Sequence, residues 1–191
     1  MHTKILTESQ QKLLPLVSRF ASDFYLVGGT ALALQYGHRR SIDFDLLSEE
    51  PFDTEKIIRK IKLHHTINKM HLREKDQLTL IVDTVKMTFW HYPYPVKHEL
   101  TLNKYISLPD PVSIGAMKGL ALGHRSKWKD YLDLYFIFQQ HSLQEVINQA
   151  HEYFGEGEFS DKLFRGQLSY HKDINYDERV EFMPGFEVSQ D

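Results

Sequence analysis
The sequence predicts an α+β fold, and three observations carry that expectation. Apolar runs of strand length crowd residues 24–108, while capped helical periodicities fill residues 111–155. The 191 residues are 41% hydrophobic and 13% aromatic, which suits one packed core and argues against wholesale disorder. The charge pattern adds exclusions. A net charge of −3 gives no global attraction to nucleic acid, although local basic stretches remain. Cysteine is absent, which excludes disulfides, thiolate metal sites and a cysteine nucleophile. The opening MHTKILTESQQK lacks the apolar centre of a signal peptide. No run approaches the roughly 18 apolar residues of a membrane span, so the expected compartment is the cytoplasm.

Taken in order, residues 7–21 carry Leu13, Leu14, Leu16, Val17 and Phe20 at helical spacing, with Pro15 as a kink or late start. Residues 24–27 read as a short buried strand, 30–36 as a helix and 43–47 as a second strand. Residues 54–63 read as a helix capped by Asp53 or Thr54. Strands are expected at 65–72, 78–82 and 85–90, separated by turns at Lys75-Asp76 and Asp83-Thr84. Four prolines between 93 and 111 mark loops around one short strand, 105–108. Asp110-Pro111 then starts a helix that runs to about Leu122. Gly123 ends that helix, Ser126 is the expected cap of a helix over 127–140, and Ser142 with Glu145 forms a capping box for one ending near Gly155. From about Tyr170 the chain is acidic, weakly periodic and expected to pack loosely. There are no internal repeats.

The chemistry concentrates in FYLVGGTALALQYGHRRSIDFDLLS, residues 24–48. A Gly pair ahead of a helix offers bare backbone N–H groups and a positive dipole end, both suited to phosphate. On an extended strand Asp43 and Asp45 share one face, with Ile42, Phe44 and Leu46 on the other. Two adjacent carboxylates repel unless a cation lies between them, and magnesium is held by carboxylates together with substrate phosphates. A Gly pair alone is a tight turn and a lone Asp-x-Asp a solvated strand end. Their order here, with His38, Arg39 and Ser41 between them, is what points to a site. The stretch GGTALALQYGHRRSIDFD resembles the first motif of the AbiEii-type nucleotidyltransferases, GG-T-x-L followed by HR-x-S-x-D-x-D.

The second region is SIGAMKGLALGHRSKWKDYLDLYFIF, residues 113–138. Asp130 and Asp133 are i,i+3 neighbours on an otherwise apolar helix, and a buried carboxylate pair requires a cation. On the residues alone, a structural salt bridge to Arg125, Lys127 or Lys129 is the simpler account. The resembled family carries a lysine on one helix and K-D-x-x-D-L on the next, matched by Lys118 and by residues 129–134. The resemblance implies a nucleotidyltransferase-like mixed sheet flanked by helices, with a C-terminal helical extension. Residues 1–108 would form the core, and 109–191 a helical region that completes the site and ends in the acidic tail, all one compact unit.

By the same resemblance, Asp43 and Asp45 hold Mg2+, and Gly28, Gly29, Thr30, Arg39, Ser41 and Lys118 receive the nucleotide. Lys118, Asp130 and Asp133 form the catalytic set, with one of the aspartates across the cleft as base or positioning group. Arg39 reaches phosphate or pairs with an acid, and His38 packs or hydrogen-bonds rather than ligating. The implied reaction moves a nucleoside monophosphate from a triphosphate to a macromolecular hydroxyl, on tRNA or protein. The implied setting is a toxin with a cognate antitoxin and no membrane partner. One departure stands out: polymerase-like members carry a third carboxylate where Thr88 is expected, and Asp83 is a poorly placed substitute. The competing reading is therefore a nucleotidyltransferase fold that has lost catalysis and binds or regulates. Residues 91–95 read as a packed aromatic loop, and the basic stretches at 59–65, 69–75 and 127–129 as solvated faces rather than RNA contacts.

Overall fold
The computed structural model describes residues 1–188, and the last three residues of the acidic tail lie outside them. After a short 3-10 turn, the chain forms α1 (Glu8–Ser18), β1 (Tyr25–Val27), α2 (Gly28–Tyr36), β2 (Phe44–Ser48) and α3 (Thr54–Lys62). Next come β3 (Ile67–Arg73), β4 (Gln77–Val82), β5 (Val85–His91), β6 (Leu100–Leu102) and β7 (Ile106–Leu108). Four helices finish it: α4 (Pro111–Leu122), α5 (Trp128–Phe138), α6 (Leu143–Glu158) and α7 (Asp161–Ser169). The α+β expectation holds.

Five strands form a mixed sheet in the order β1-β2-β5-β4-β3, with β2 parallel to β5 and the other pairs antiparallel. Period-two alternation sets its faces. Phe44 and Leu46 of β2, Met87 and Phe89 of β5, and Leu78, Leu80 and Val82 of β4 are buried together. Phe89 meets Phe20 and Phe24 with ring centroids 4.9 and 5.3 Å apart, while α3 packs across β3 and β4. The opposite parity puts Asp45, Lys86 and Thr88 on the less covered face. The helical half packs onto the sheet through α2, which touches β1, α4 and α5, and one apolar cluster runs from Ile5 to Phe164. Among the described residues, no helix is long and apolar enough to cross a membrane.

Local chemistry explains the boundaries. Thr7 and Gln10 form a capping box that starts α1, and Pro15 sits within that helix without ending it. Asp53 caps α3, Asp110 caps α4 ahead of Pro111, and Ser142 with Glu145 boxes α6. The expected cap at Ser126 is corrected: α5 starts after Lys127 without a side-chain cap, and the Ser126 hydroxyl donates to Asp173. The sequence reading also passes over β6 and α7. The Gly pair is not a loop before α2 but its first turn. Phe89→Ala should lower the unfolding free energy by about 3–5 kcal/mol in a urea titration, since its ring fills the space between the sheet and the residues after α1.

Candidate active site
The loop between α2 and β2 is fixed from several sides. Gln10, fully buried on α1, donates to the Ser41 carbonyl at 2.9 Å. Thr30 donates to the Asp43 carbonyl, and its oxygen lies 2.9 Å from the Ser41 hydroxyl. These bonds fix the approach to β2, whose Asp45 carboxylate points at Gly28. Gly28 has φ +69°, and a Cβ there would lie 2.9 Å from Asp45 Oδ2, so the backbone needs glycine both for its conformation and for clearance. A Cβ on Gly29 would overlap the Arg39 guanidinium.

Register places Asp45 opposite Val27 on one side and Thr88 on the other. Thr88 therefore stands beside Asp45 on the neighbouring strand and favours its charged form. Lys86, two residues earlier on the same face of β5, donates to Asp43 Oδ2 at 2.8 Å. Burial first, and then the Asp43 charge, push the Asp45 carboxyl above its ordinary range, with Lys86 and Thr88 opposing. Burial works against the Lys86 charge, but Asp43 and Asp45 hold it above its ordinary value. The strain of two like charges is thus only partly relieved by one lysine. Asp43 and Asp45 supply an all-oxygen donor pair with clearance at Gly28, which fits a hard divalent cation. Among the described residues, no group of three or more Asp, Glu, His or Cys is placed to hold a metal, so further ligands would have to come from substrate and water. Asp83 is not the missing third carboxylate: it lies in the β4–β5 turn, 2.6 Å from His65 Nδ1.

Behind this edge is a buried ionic network. Arg39 binds Asp133 through two parallel bonds, Nε to Oδ1 at 2.7 Å and a terminal nitrogen to Oδ2 at 2.8 Å. His38 Nε2 donates to Asp133 Oδ1 at 2.8 Å. Burial holds this imidazole below its ordinary pKa and therefore neutral, and its Nδ1 has no partner among the described residues. Lys118 Nζ lies 2.8 Å from both Asp130 Oδ1 and Asp133 Oδ2, and Arg125 reaches Asp130 at 2.9 Å. Burial opposes ionisation of Asp133, yet Arg39 and Lys118 hold it well below the usual carboxylate range, and Lys118 and Arg125 do the same, less strongly, for Asp130.

Several expected roles change on this geometry. Asp133 is fully buried with both oxygens engaged, so it does not face a cleft as a base; it organises Arg39 and Lys118. Asp130 likewise faces Lys118 and Arg125. Arg39 is spent on Asp133 and the Arg40 carbonyl rather than free for phosphate, and the Thr30 hydroxyl is spent on Asp43. Lys118 keeps one of its three N–H donors beyond the two carboxylates, and Ser41 stays partly exposed. His38 hydrogen-bonds. The two motifs are joined by unbroken contact from Gly29 through Arg39 and Asp133 to Lys118. Sequence reasoning missed Lys86 and Gln10. The first was discoverable as the residue two before Thr88, on the same face. A hollow of about 540 Å³ lies at the other end of the strands, lined by Tyr25, Ser48, Phe52 and His98, away from this chemistry.

Asp133→Asn should destabilise the fold by about 3–5 kcal/mol, because it leaves two buried cations undercompensated. Asp45→Asn should instead raise Tm at neutral pH by removing an ill-solvated charge. The signs follow from the shifts. Asp133, depressed in the fold, contributes stability that is complete above its unfolded pKa near 3.8 and is lost as pH falls below it. Asp45, raised in the fold, costs stability once pH exceeds its unfolded value. Thermal melts from pH 3 to 8 on both variants check these opposite trends.

A sequence model of the AbiEii family, described as the nucleotidyl transferase AbiEii toxin of a type IV toxin–antitoxin system, matches residues 16–187. An uncharacterised protein of Aquifex aeolicus is 35% identical over 143 residues, 72% of this chain and 69% of that protein. MenT4, a nucleotidyltransferase toxin from Mycobacterium tuberculosis, superposes with TM-score 0.59 at 17% identity, over 87% of this chain and 72% of that one. ANT(2'')-Ia in complex with adenylyl-2''-tobramycin superposes with TM-score 0.55 at 9% identity, over 86% and 98%. The two structures share the nucleotidyltransferase fold of this sheet and its helices. The extent of the family match and the Aquifex identity establish that the chain belongs to the AbiEii family of nucleotidyl transferase toxins.

Proposed function
We propose that this protein is a metal-dependent nucleotidyltransferase that moves a nucleoside monophosphate from a triphosphate to a hydroxyl of a macromolecular acceptor, tRNA or protein. The observation that carries the reading is the pairing of Asp43 and Asp45 beside the first turn of α2, with Lys118 reached through the Arg39–Asp133 pair. Family membership supports it.

In this reading, Asp43 and Asp45 hold Mg2+, which when bound offsets charge on the phosphates. The backbone N–H groups of Gly28 and Gly29, at the positive end of α2, donate to phosphate oxygens, with the partly exposed Ser41 hydroxyl beside them. Lys118 gives its remaining N–H to the same phosphates, its charge secured by Asp130 and Asp133. Lys86 balances Asp43 until substrate arrives. The acceptor oxygen forms a bond to the α-phosphorus as the bond to the bridging oxygen breaks, pyrophosphate leaves, and the hydroxyl proton passes to solvent. We place the reaction in the cytoplasm, under control of a cognate antitoxin.

Thr88 beside Asp45 supports a second reading, a nucleotide-binding or regulatory module without turnover. Incubation with each α-labelled triphosphate, Mg2+ and total cell RNA or protein separates the two. Transfer is expected in the wild type and should fall at least about 100-fold in Asp43→Asn and Asp45→Asn, with circular dichroism unchanged. Binding of triphosphate without any labelled product would favour the module. Equal labelling by wild type and both variants would remove the site.

A further inference from the structure
After α7 the chain returns across the site as a strap whose two ends are held by backbone hydrogen bonds. At one end Asn175 N donates to the Ser126 carbonyl at 2.7 Å and Trp128 N donates to the Asn175 carbonyl at 2.9 Å. At the other end Arg40 N donates to the Glu181 carbonyl at 2.8 Å and Met183 N to the His38 carbonyl at 3.0 Å. The strap thus bridges the loop before α5 and the loop before β2, the two segments that carry the site motifs. Its middle is held differently. Glu178 takes Lys127 Nζ on one carboxylate oxygen at 2.6 Å and Lys129 Nζ on the other at 3.1 Å. Tyr176 lies against Trp128, with ring centroids 5.2 Å apart.

The charges around Glu178 form a pattern. Lys129 directly precedes Asp130, which holds Lys118, and Arg125 holds the other side of Asp130. The Glu178 charge also acts on Lys86 and Arg39, while Lys127 and Lys129 push its own carboxyl down to about 2. One carboxylate therefore binds Lys127 and Lys129 and lies within electrostatic reach of Lys86, the lysine that holds Asp43. Ion pairs with side chains this exposed are weak and screened by salt, whereas a chain of phosphates brings several charges to the same cations.

We propose that Glu178 is a built-in substitute for a substrate phosphate: Lys127 and Lys129 form a subsite for a phosphate chain, and the middle of the strap must leave them for that ligand to bind. The inference rests on the transfer reading above and names a part of that site. The phosphate can belong to the triphosphate tail of the nucleotide or to the backbone of an RNA acceptor. Displacement separates Tyr176 from Trp128 while the strap ends stay bonded, so the ligand reports its own entry in Trp128 fluorescence.

The test uses the full chain carrying Trp90→Phe, so that Trp128 is the sole tryptophan, with EDTA present to keep metal and catalysis out. Inorganic triphosphate and a 5'-hydroxyl RNA 20-mer are titrated separately into wild type, Glu178→Gln and Lys127→Ala/Lys129→Ala. Glu178→Gln should bind its ligand roughly tenfold tighter, the lysine variant should bind it more weakly, and Trp128 emission should change on binding to the wild type. A gain with triphosphate alone assigns the subsite to the nucleotide, and a gain with RNA alone assigns it to the acceptor. Unchanged affinity for both probes in Glu178→Gln, or binding without any change in Trp128 emission, would overturn the proposal. Because no turnover is needed, a tighter Glu178→Gln variant that transfers nothing would fail the transfer reading and leave the subsite standing.

Discussion
The Asp133 carboxylate organises the candidate site. It is sealed from water, yet Arg39, Lys118 and His38 all bond to it, and those three come from α4 and the loop between α2 and β2. Burying such a carboxylate is unfavourable in isolation; bidentate geometry and a second cation offset that cost and make the arrangement specific. Once Arg39 is fixed, its guanidinium fills the space that Gly29 leaves open, and the backbone N–H groups at the start of α2 acquire a defined wall. Lys118 is fixed in the same act. The Gly-pair turn and the lysine-bearing helix are thus one structure with a common counterion.

The sheet edge obeys the opposite logic. Only Lys86 and Thr88 oppose the repulsion between Asp43 and Asp45, and burial, followed by the Asp43 charge, raises Asp45 above its ordinary pKa. One carboxylate cluster is overcompensated; the other is undercompensated. The contrast arises from neighbouring residues rather than from residue type, since all four groups are aspartates.

Much of this was legible in the sequence, for local reasons. Period-two alternation set β2, β4 and β5 and put Asp45 and Thr88 on one face, and caps such as Asp53, Asp110 and Ser142 set helix starts. The Gly pair, the Asp-x-Asp and the lysine on α4 were legible as a set because their order matches a family. Other features depend on tertiary contact. That Asp133 faces Arg39 and not a cleft follows from how α5 packs against α2, which spacing along one helix does not encode. The Ser126 cap failed because Asp173, 47 residues later, takes its hydroxyl. The strap shows no periodicity, since it is held by single backbone bonds to loops, so it read as a loose acidic tail.

The bond from Arg39 to Asp133 spans 94 residues. A ribosome must therefore have made most of the chain before the guanidinium finds its carboxylate, and the first motif emerges long before the helix that steadies it. Until α5 arrives, the Gly pair faces an unplaced arginine and Lys118 has no counterion, so the nascent chain carries the first motif without its alignment. A fragment cut short before α5 therefore keeps the first motif but lacks the carboxylate that fixes Arg39 and Lys118.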